Sequence, residues 1–472
     1  MRKAYQLGFG TTGSELNLEK LTIRGKLPDW LHGDLIRNGP GTFRVGNDQY
    51  RHWFDGLAML HRFSFDSGEL AYRNRFLDCK AYREAMDTKQ IRYSEFATDP
   101  RFSLADRLKM IFQSPMTDSA KVNVARIGKK VLALSETSKQ IQFDPETLES
   151  IAEFNYDSQI NRHVTTVHPQ YDRLKNCDYN MTTRFNRISR YRILQVGETR
   201  KPKLEASIPV SEISYMHSFG MSPNYFIVTE FPFQVNPLQI LFSKKPFIEN
   251  FKWRPERGTR IHIINRESGS VEKTLLSDPF FSFHHVNAFE EDGQLLMDMV
   301  CYPDAEVIQS FYLERIFKED QALQVGEFRR YRINLKEETI SYEVRCKEGL
   351  ELPRYDEGAL SMSGAYRYVY GVGVHKDHPQ SFYNQLVKLD IQAQTSLTWY
   401  HEGCYPGEAV FIGKPGRASE DDGVVVSVIL DEARGNSFLL VLDASDLKEL
   451  ARAEVPHPIL FGYHGSYLGK AE

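Results

Sequence analysis

The sequence predicts an all-β fold of the propeller type, on three observations. Short β-branched or alternating runs recur along most of the chain with turn formers between them. Helical periodicity is rare. Finally, a chain made of repeated hairpins must remove its sheet edges, and radial repetition does so. At four strands and ~60–70 residues per unit, 472 residues correspond to roughly six to eight blades. A large sandwich or two barrels would satisfy the same strand density.

The strand signals begin in earnest with YFIVTEFPFQV from Tyr225 and continue with RIHIINRESGSVEKTLL from Arg260 and FRRYRINLKEETISYEVR from Phe328. YRYVYGVGV from Tyr366, NQLVKLDIQAQTSLTWY from Asn384 and VVVSVILDEARGNSFLLVLD from Val424 extend the pattern. Tips such as RESGS and EARGNS mark strand–turn–strand units. Two segments read as helices, LADRLKMIF near Leu104 and AEVIQSFYLERIF from Ala305. No Pro/Gly/Ser-rich linker divides the chain, so residues 1–472 read as one domain. Insertions at about 80–120 and 231–256 are expected to form a cap on one face.

Composition narrows the partners. Hydrophobic residues make up 41% and charged residues 26%, an ordinary globular balance. The 59 basic and 63 acidic residues leave a net charge of -4, which argues against nucleic acid. Nothing in the composition calls for an obligatory protein partner. The five cysteines are scattered and include no CxxC, so neither a disulfide framework nor a thiolate metal site is expected, and a reducing cytosol is the natural compartment. The N-terminal MRKAYQLGFGTTGSELN lacks the apolar stretch of a signal peptide, and no run approaches the ~20 apolar residues of a spanning helix. Aromatics reach 12%, which suits either a strand-rich core or an apolar ligand tunnel.

Four of the 14 histidines stand out by context. His168 lies in TTVHPQYD, His217 in SYMHSFGMSPNYF, His284 in FFSFHHVNAFE and His464 in LFGYHGSYLG. Each sits among apolar, aromatic or small residues, where an imidazole needs a hydrogen bond or a metal to be buried. Their intervals of 49, 67 and 180 residues match no zinc-finger or HExxH spacing, so such ligands would come from separate strands. Side chains alternate along a strand, and only one of His284 and His285 can point at a shared metal. By residue pattern alone that choice stays open, as does the choice between His163 and His168.

Taken together, these segments resemble the carotenoid cleavage oxygenase family from about residue 20 to the C-terminus. LHGDLIRNGPGTF from Leu31 and HWFDGLAMLHRF from His52 resemble the family's opening, and the HP pair, YMHSFG, FHHVNAFE and YHGSY resemble its four ligand segments. The resemblance selects His168 over His163, and His284, three residues before Asn287, over His285. It implies a seven-bladed propeller with a helical cap and one Fe(II) held by four neutral imidazoles, which leave a position for O2. It further implies glutamates that take the far N–H of three ligands, here Glu136 in ALSETS for His217, Glu351 in LELPRYD for His284 and Glu408 in YPGEAVFI for His464. Phe96 in SEFAT, Phe283 and Tyr463 are expected along the substrate tunnel.

The family's reaction adds O2 across a double bond of a conjugated substrate to give two carbonyl products. Members that cleave stilbenes carry a Lys just before the first of these glutamates, where this chain has Ser135. A carotenoid or apocarotenoid cut centrally to retinal is therefore the expected substrate. Stilbenoid cleavage, a redox-neutral retinyl ester isomerohydrolase and a carotenoid-binding propeller without turnover are the alternatives. Residues Phe231 to Trp253, which mix Phe, Leu, Ile and Trp with Lys244, Lys245 and Lys252, resemble the family's membrane-facing tunnel mouth. They suggest a cytoplasmic protein attached peripherally to a membrane surface.

Overall fold

The computed structural model describes residues 4–100, 116–154, 163–186, 188–197, 202–243, 245–318 and 322–469. The helix expected near Leu104, residue Lys244 and the side chains of His163 and Leu238 lie outside the described residues.

Strands dominate, and among the described residues the pairings between strands are antiparallel. Hairpins form where alternating runs meet a turn residue. Thr259–Asn265 and Val271–Ser277 pair around Gly269 (φ +70°), and Gly423–Asp431 and Asn436–Asp443 pair around Gly435 (φ +66°). Both tips need the left-handed conformation that glycine adopts without strain. Among the described residues these hairpins assemble into seven sheets of four to six strands, with a three-stranded and a two-stranded piece besides.

The chain termini interlock in this arrangement. Gly465–Gly469 pairs with Gly33–Thr42, so the last strand completes the first sheet. Ile23–Gly25 pairs in turn with Glu449–Val455 and completes the final sheet. The four histidines stand beside strands at the ends of their sheets. His168 follows His163–Thr165, and His217 precedes Gly220–Met221. His284 directly precedes His285–Glu291, and His464 directly precedes Gly465–Gly469.

Two sequence expectations change. The segment from Ala305 is not one helix but two short ones, Glu306–Ser310 and Leu313–Ile316. Between them the backbone pairs outward: Trp53 N–H donates to the Phe311 carbonyl at 2.9 Å and Leu313 N–H to the Arg51 carbonyl at 2.9 Å. Those bonds replace the i→i−4 ladder and pin the break. The stretch Phe231–Trp253 is largely interior. Phe231, Phe233, Val235, Ile248 and Phe251 are buried, with Phe233 against Phe251 and Phe281, so a membrane-facing Phe233 is ruled out. The helix Pro237–Phe242 is the less covered part, where Ile240 is half-buried.

Candidate metal centre

The four histidines converge. Their ring nitrogens lie within 4.8 Å of one another, although the residues come from four separate sheets. His168 Nε2 is 3.1 Å from His217 Nε2, and His284 Nε2 is 3.2 Å from His464 Nε2. Right-angled ligation at a bond length of ~2.1 Å separates neighbouring nitrogens by ~3 Å.

Carboxylates decide which nitrogen of three rings carries the proton. His217 Nδ1 donates to Glu136 at 2.6 Å, His284 Nδ1 to Glu351 at 2.7 Å and His464 Nδ1 to Glu408 at 2.7 Å. With Nδ1 protonated, each Nε2 presents a bare lone pair to the centre. Two such lone pairs 3.2 Å apart repel each other unless a cation lies between them. The donor set is all imidazole, with neither thiolate nor carboxylate among the converging atoms, and it fits a divalent transition metal of borderline softness.

Burial favours the uncharged form of three rings. It pushes His464 down to about 3 against the pull of Glu408, takes His168 well below its usual value, and lowers His217 despite Glu136. Burial alone would raise Glu351 and Glu408. Instead Arg37, Arg354 and His464 hold Glu408 well below the usual carboxylate range, and His284, the Leu352 N–H and the Tyr302 hydroxyl lower Glu351.

One side of the centre is aromatic. The Phe283 ring centroid lies 6.0 Å from that of His217 and 6.3 Å from that of His284. Phe54 joins Phe283 at 5.7 Å, Phe96 at 5.2 Å and Tyr463 at 5.7 Å, and Phe96 meets Tyr215 at 5.6 Å. Phe283 and Tyr463 are buried, whereas Phe54 and Phe96 remain half-buried within an otherwise closed cluster.

The family whose description is "Retinal pigment epithelial membrane protein" matches residues 9–469, nearly the whole chain. The chain belongs to the carotenoid cleavage oxygenase family. Human β,β-carotene 15,15'-dioxygenase is 33% identical over 98% of this chain and 94% of its own length. The mitochondrial carotenoid-cleaving dioxygenase of Mustela putorius furo is 32% identical over 94% of this chain and 93% of its own. Among solved structures, cobalt-substituted Synechocystis apocarotenoid oxygenase superposes with a TM-score of 0.87 at 24% identity, covering both chains completely. A chimera of that oxygenase with the retinal pigment epithelial protein gives 0.89 at 24% identity over 99% and 98% of the two chains. At this identity the superpositions establish the fold.

The structure brings together all ten residues singled out in the sequence of this family member, each glutamate on its expected histidine. His285, the neighbour of His284, turns away and bonds the hydroxyls of Ser218 at 2.9 Å and Thr229 at 2.8 Å. His52 of the HWFDG segment is likewise structural, with Nε2 on the Ile308 carbonyl at 2.8 Å and Nδ1 accepting from the Phe54 N–H at 3.0 Å. Sequence reasoning did not assign Phe54, Arg37, Arg354, Tyr215 or Tyr302. All but Tyr302 do lie in quoted family segments, Phe54 in HWFDG, Arg37 in LIRNGPG, Arg354 in LELPRYD and Tyr215 in YMHSFG, and that was the available signal.

Proposed function

We propose that this chain is an Fe(II)-dependent dioxygenase that cleaves a carbon–carbon double bond of a carotenoid or apocarotenoid. One O2 and one C=C become two C=O groups, so the products are aldehydes and no external reductant is consumed. The observation that carries the reading is the set of bare imidazole lone pairs facing an aromatic wall. The dioxygenase relatives at 32–33% identity support it. Central cleavage to retinal is favoured because the human relative's name sets its cut at the 15,15' bond.

His168, His217, His284 and His464 would hold one iron per chain, and a ferrous ion held there supplies the one-electron chemistry toward O2 that the side chains lack. Glu136, Glu351 and Glu408 fix the orientation of three rings. Phe54, Phe96, Phe283 and Tyr463 receive the polyene, exclude water and turn π-faces toward positive charge developing on it. The seven sheets are read as the seven blades of a single-domain propeller. Substrate is collected by peripheral contact with a membrane surface through the helix Pro237–Phe242, with Lys252 exposed nearby, from the cytoplasmic side.

The test is to measure iron per chain and to supply β-carotene, a long apocarotenoid and resveratrol under air and under nitrogen. Retinal formed only with O2 supports the proposal. Hydroxybenzaldehyde products would point to stilbenoids, and no turnover by iron-loaded protein would point to a binding protein. For the membrane arm, loss of co-sedimentation with liposomes in Ile240→Glu is expected, and unchanged pelleting would reject this contact.

A further inference from the structure

His464 is held differently from the other two carboxylate-backed histidines. Glu136 accepts from His217 and from the Tyr215 hydroxyl at 2.8 Å. Glu351 accepts from His284, from the Tyr302 hydroxyl at 3.0 Å and from the Leu352 N–H at 2.6 Å. Among the described residues, neither carboxylate forms an ion pair with an arginine or lysine.

Glu408 does. It is fully buried and gathers His464 Nδ1, the Gly465 N–H at 3.1 Å, the Arg37 guanidinium and Arg354 Nη1 at 3.4 Å. Each arginine also reaches the main chain beside the histidine. Arg37 Nη2 donates to the Tyr463 carbonyl at 2.8 Å, and Arg354 Nη1 donates to the Gly465 carbonyl at 3.0 Å. One ionic cluster thus grips the ring of His464 and the backbone on both sides of it. Its members come from three places: Arg37 from strand Gly33–Thr42, Arg354 from strand Glu351–Arg354, and Glu408 from the loop between Cys404–Pro406 and Val410–Gly413.

Charge follows from the same geometry. Two guanidiniums bear on Glu408, with Glu357 pairing the outer one, Arg354, at 2.9 Å, whereas the corners of His217 and His284 carry a carboxylate without a cation. A carboxylate shared between two cations draws less on the imidazole proton, so the imidazole it backs donates less charge to a metal.

We propose that Arg37 and Arg354 are positioning residues of the metal centre that, acting through Glu408, seat His464 and weaken it as a donor, favouring ferrous over ferric iron. This inference rests on the reading of His464 as an iron ligand.

The test compares the iron-loaded parent with Arg354→Gln, Arg354→Lys and Arg37→Gln. Iron affinity is measured by chelator competition. The midpoint potential is measured by titration with ferricyanide, which takes one electron from each Fe(II), and followed by the Fe(III) electron paramagnetic resonance signal. Arg354→Gln and Arg37→Gln are expected to fold, to bind iron about tenfold or more weakly, and to shift the potential negative. Arg354→Lys keeps the charge but not the forked geometry, so it returns the potential toward the parent and only part of the affinity. Parental affinity and potential in both Gln variants would overturn the proposal. Lost affinity with an unmoved potential overturns it too, because loosened packing alone produces that result. Should Arg37→Gln not fold, Arg354, the more exposed of the two, decides alone. A parent that binds no more iron than His464→Ala instead removes the ligand reading itself.

Discussion

His284 and His464 face each other Nε2 to Nε2 at 3.2 Å, while each commits its Nδ1 proton to a glutamate of its own. With those protons committed, the two Nε2 atoms face each other across the centre. The contact is therefore shaped for a cation, and the surrounding side chains translate that into measurable behaviour.

His284 and His285 are expected to separate cleanly. His284→Ala should lose most of its iron by elemental analysis. His285→Ala should keep its iron and lose ~1–3 kcal/mol of stability, because the Ser218 and Thr229 hydroxyls lose a buried partner. Equal iron loss in both variants would contradict the strand-face assignment.

Glu351→Gln replaces an acceptor for three donors, His284, Tyr302 and Leu352 N–H, by an amide whose oxygen serves fewer of them. Iron affinity should fall about 10–100-fold, read by chelator competition, with iron binding still saturable.

Phe54→Leu and Phe283→Leu remove π-faces without removing any candidate ligand. A lost aromatic–cation interaction of ~0.5–2 kcal/mol corresponds to a twofold to roughly thirtyfold fall in kcat/KM on β-carotene. Iron content should stay at the parental level, and unchanged kcat/KM would show that these rings are packing only.

Asp178 gives a pH signature remote from the centre. Burial pushes its carboxyl up to about 7 from 3.8, with the Gly128 backbone opposing. Between pH ~4 and ~7 the native state then keeps a proton that the unfolded chain has released, so stability falls as pH rises through that window. Asp178→Asn cannot ionise. Its melting temperature relative to the parent should be higher at pH 8 than at pH 4.5, and a pH-independent difference would contradict the burial effect.

Much of the architecture could be read from local pattern. Alternating runs around Gly269 and Gly435 became hairpins because side-chain alternation and a left-handed turn residue are properties of the segment itself. The helix from Ala305 failed because its middle residues spend their backbone bonds on Arg51 and Trp53, more than 250 positions earlier, which periodicity does not encode. Within Phe231–Trp253 an apolar residue that packs inside and one that faces outward look alike in sequence, and only the neighbours of Phe233 place it inside. At the centre, family motifs carried the histidines and glutamates. Arg37 and Arg354 escaped notice because their significance lies in touching Glu408, 371 and 54 residues away.

The pairing of Gly465–Gly469 with Gly33–Thr42 also orders events during synthesis. His168, His217 and His284 leave the ribosome first, and another 180 residues must be added before His464 follows. At ~5–20 residues per second that interval lasts about 9–36 s, during which a nascent chain can offer only an incomplete set of ligands. The strand that brings His464 is the one that joins the first sheet, so docking of that strand and completion of the ligand set are a single step. Assembly of the four-imidazole set is accordingly coupled to the pairing of Gly465–Gly469 with the first sheet.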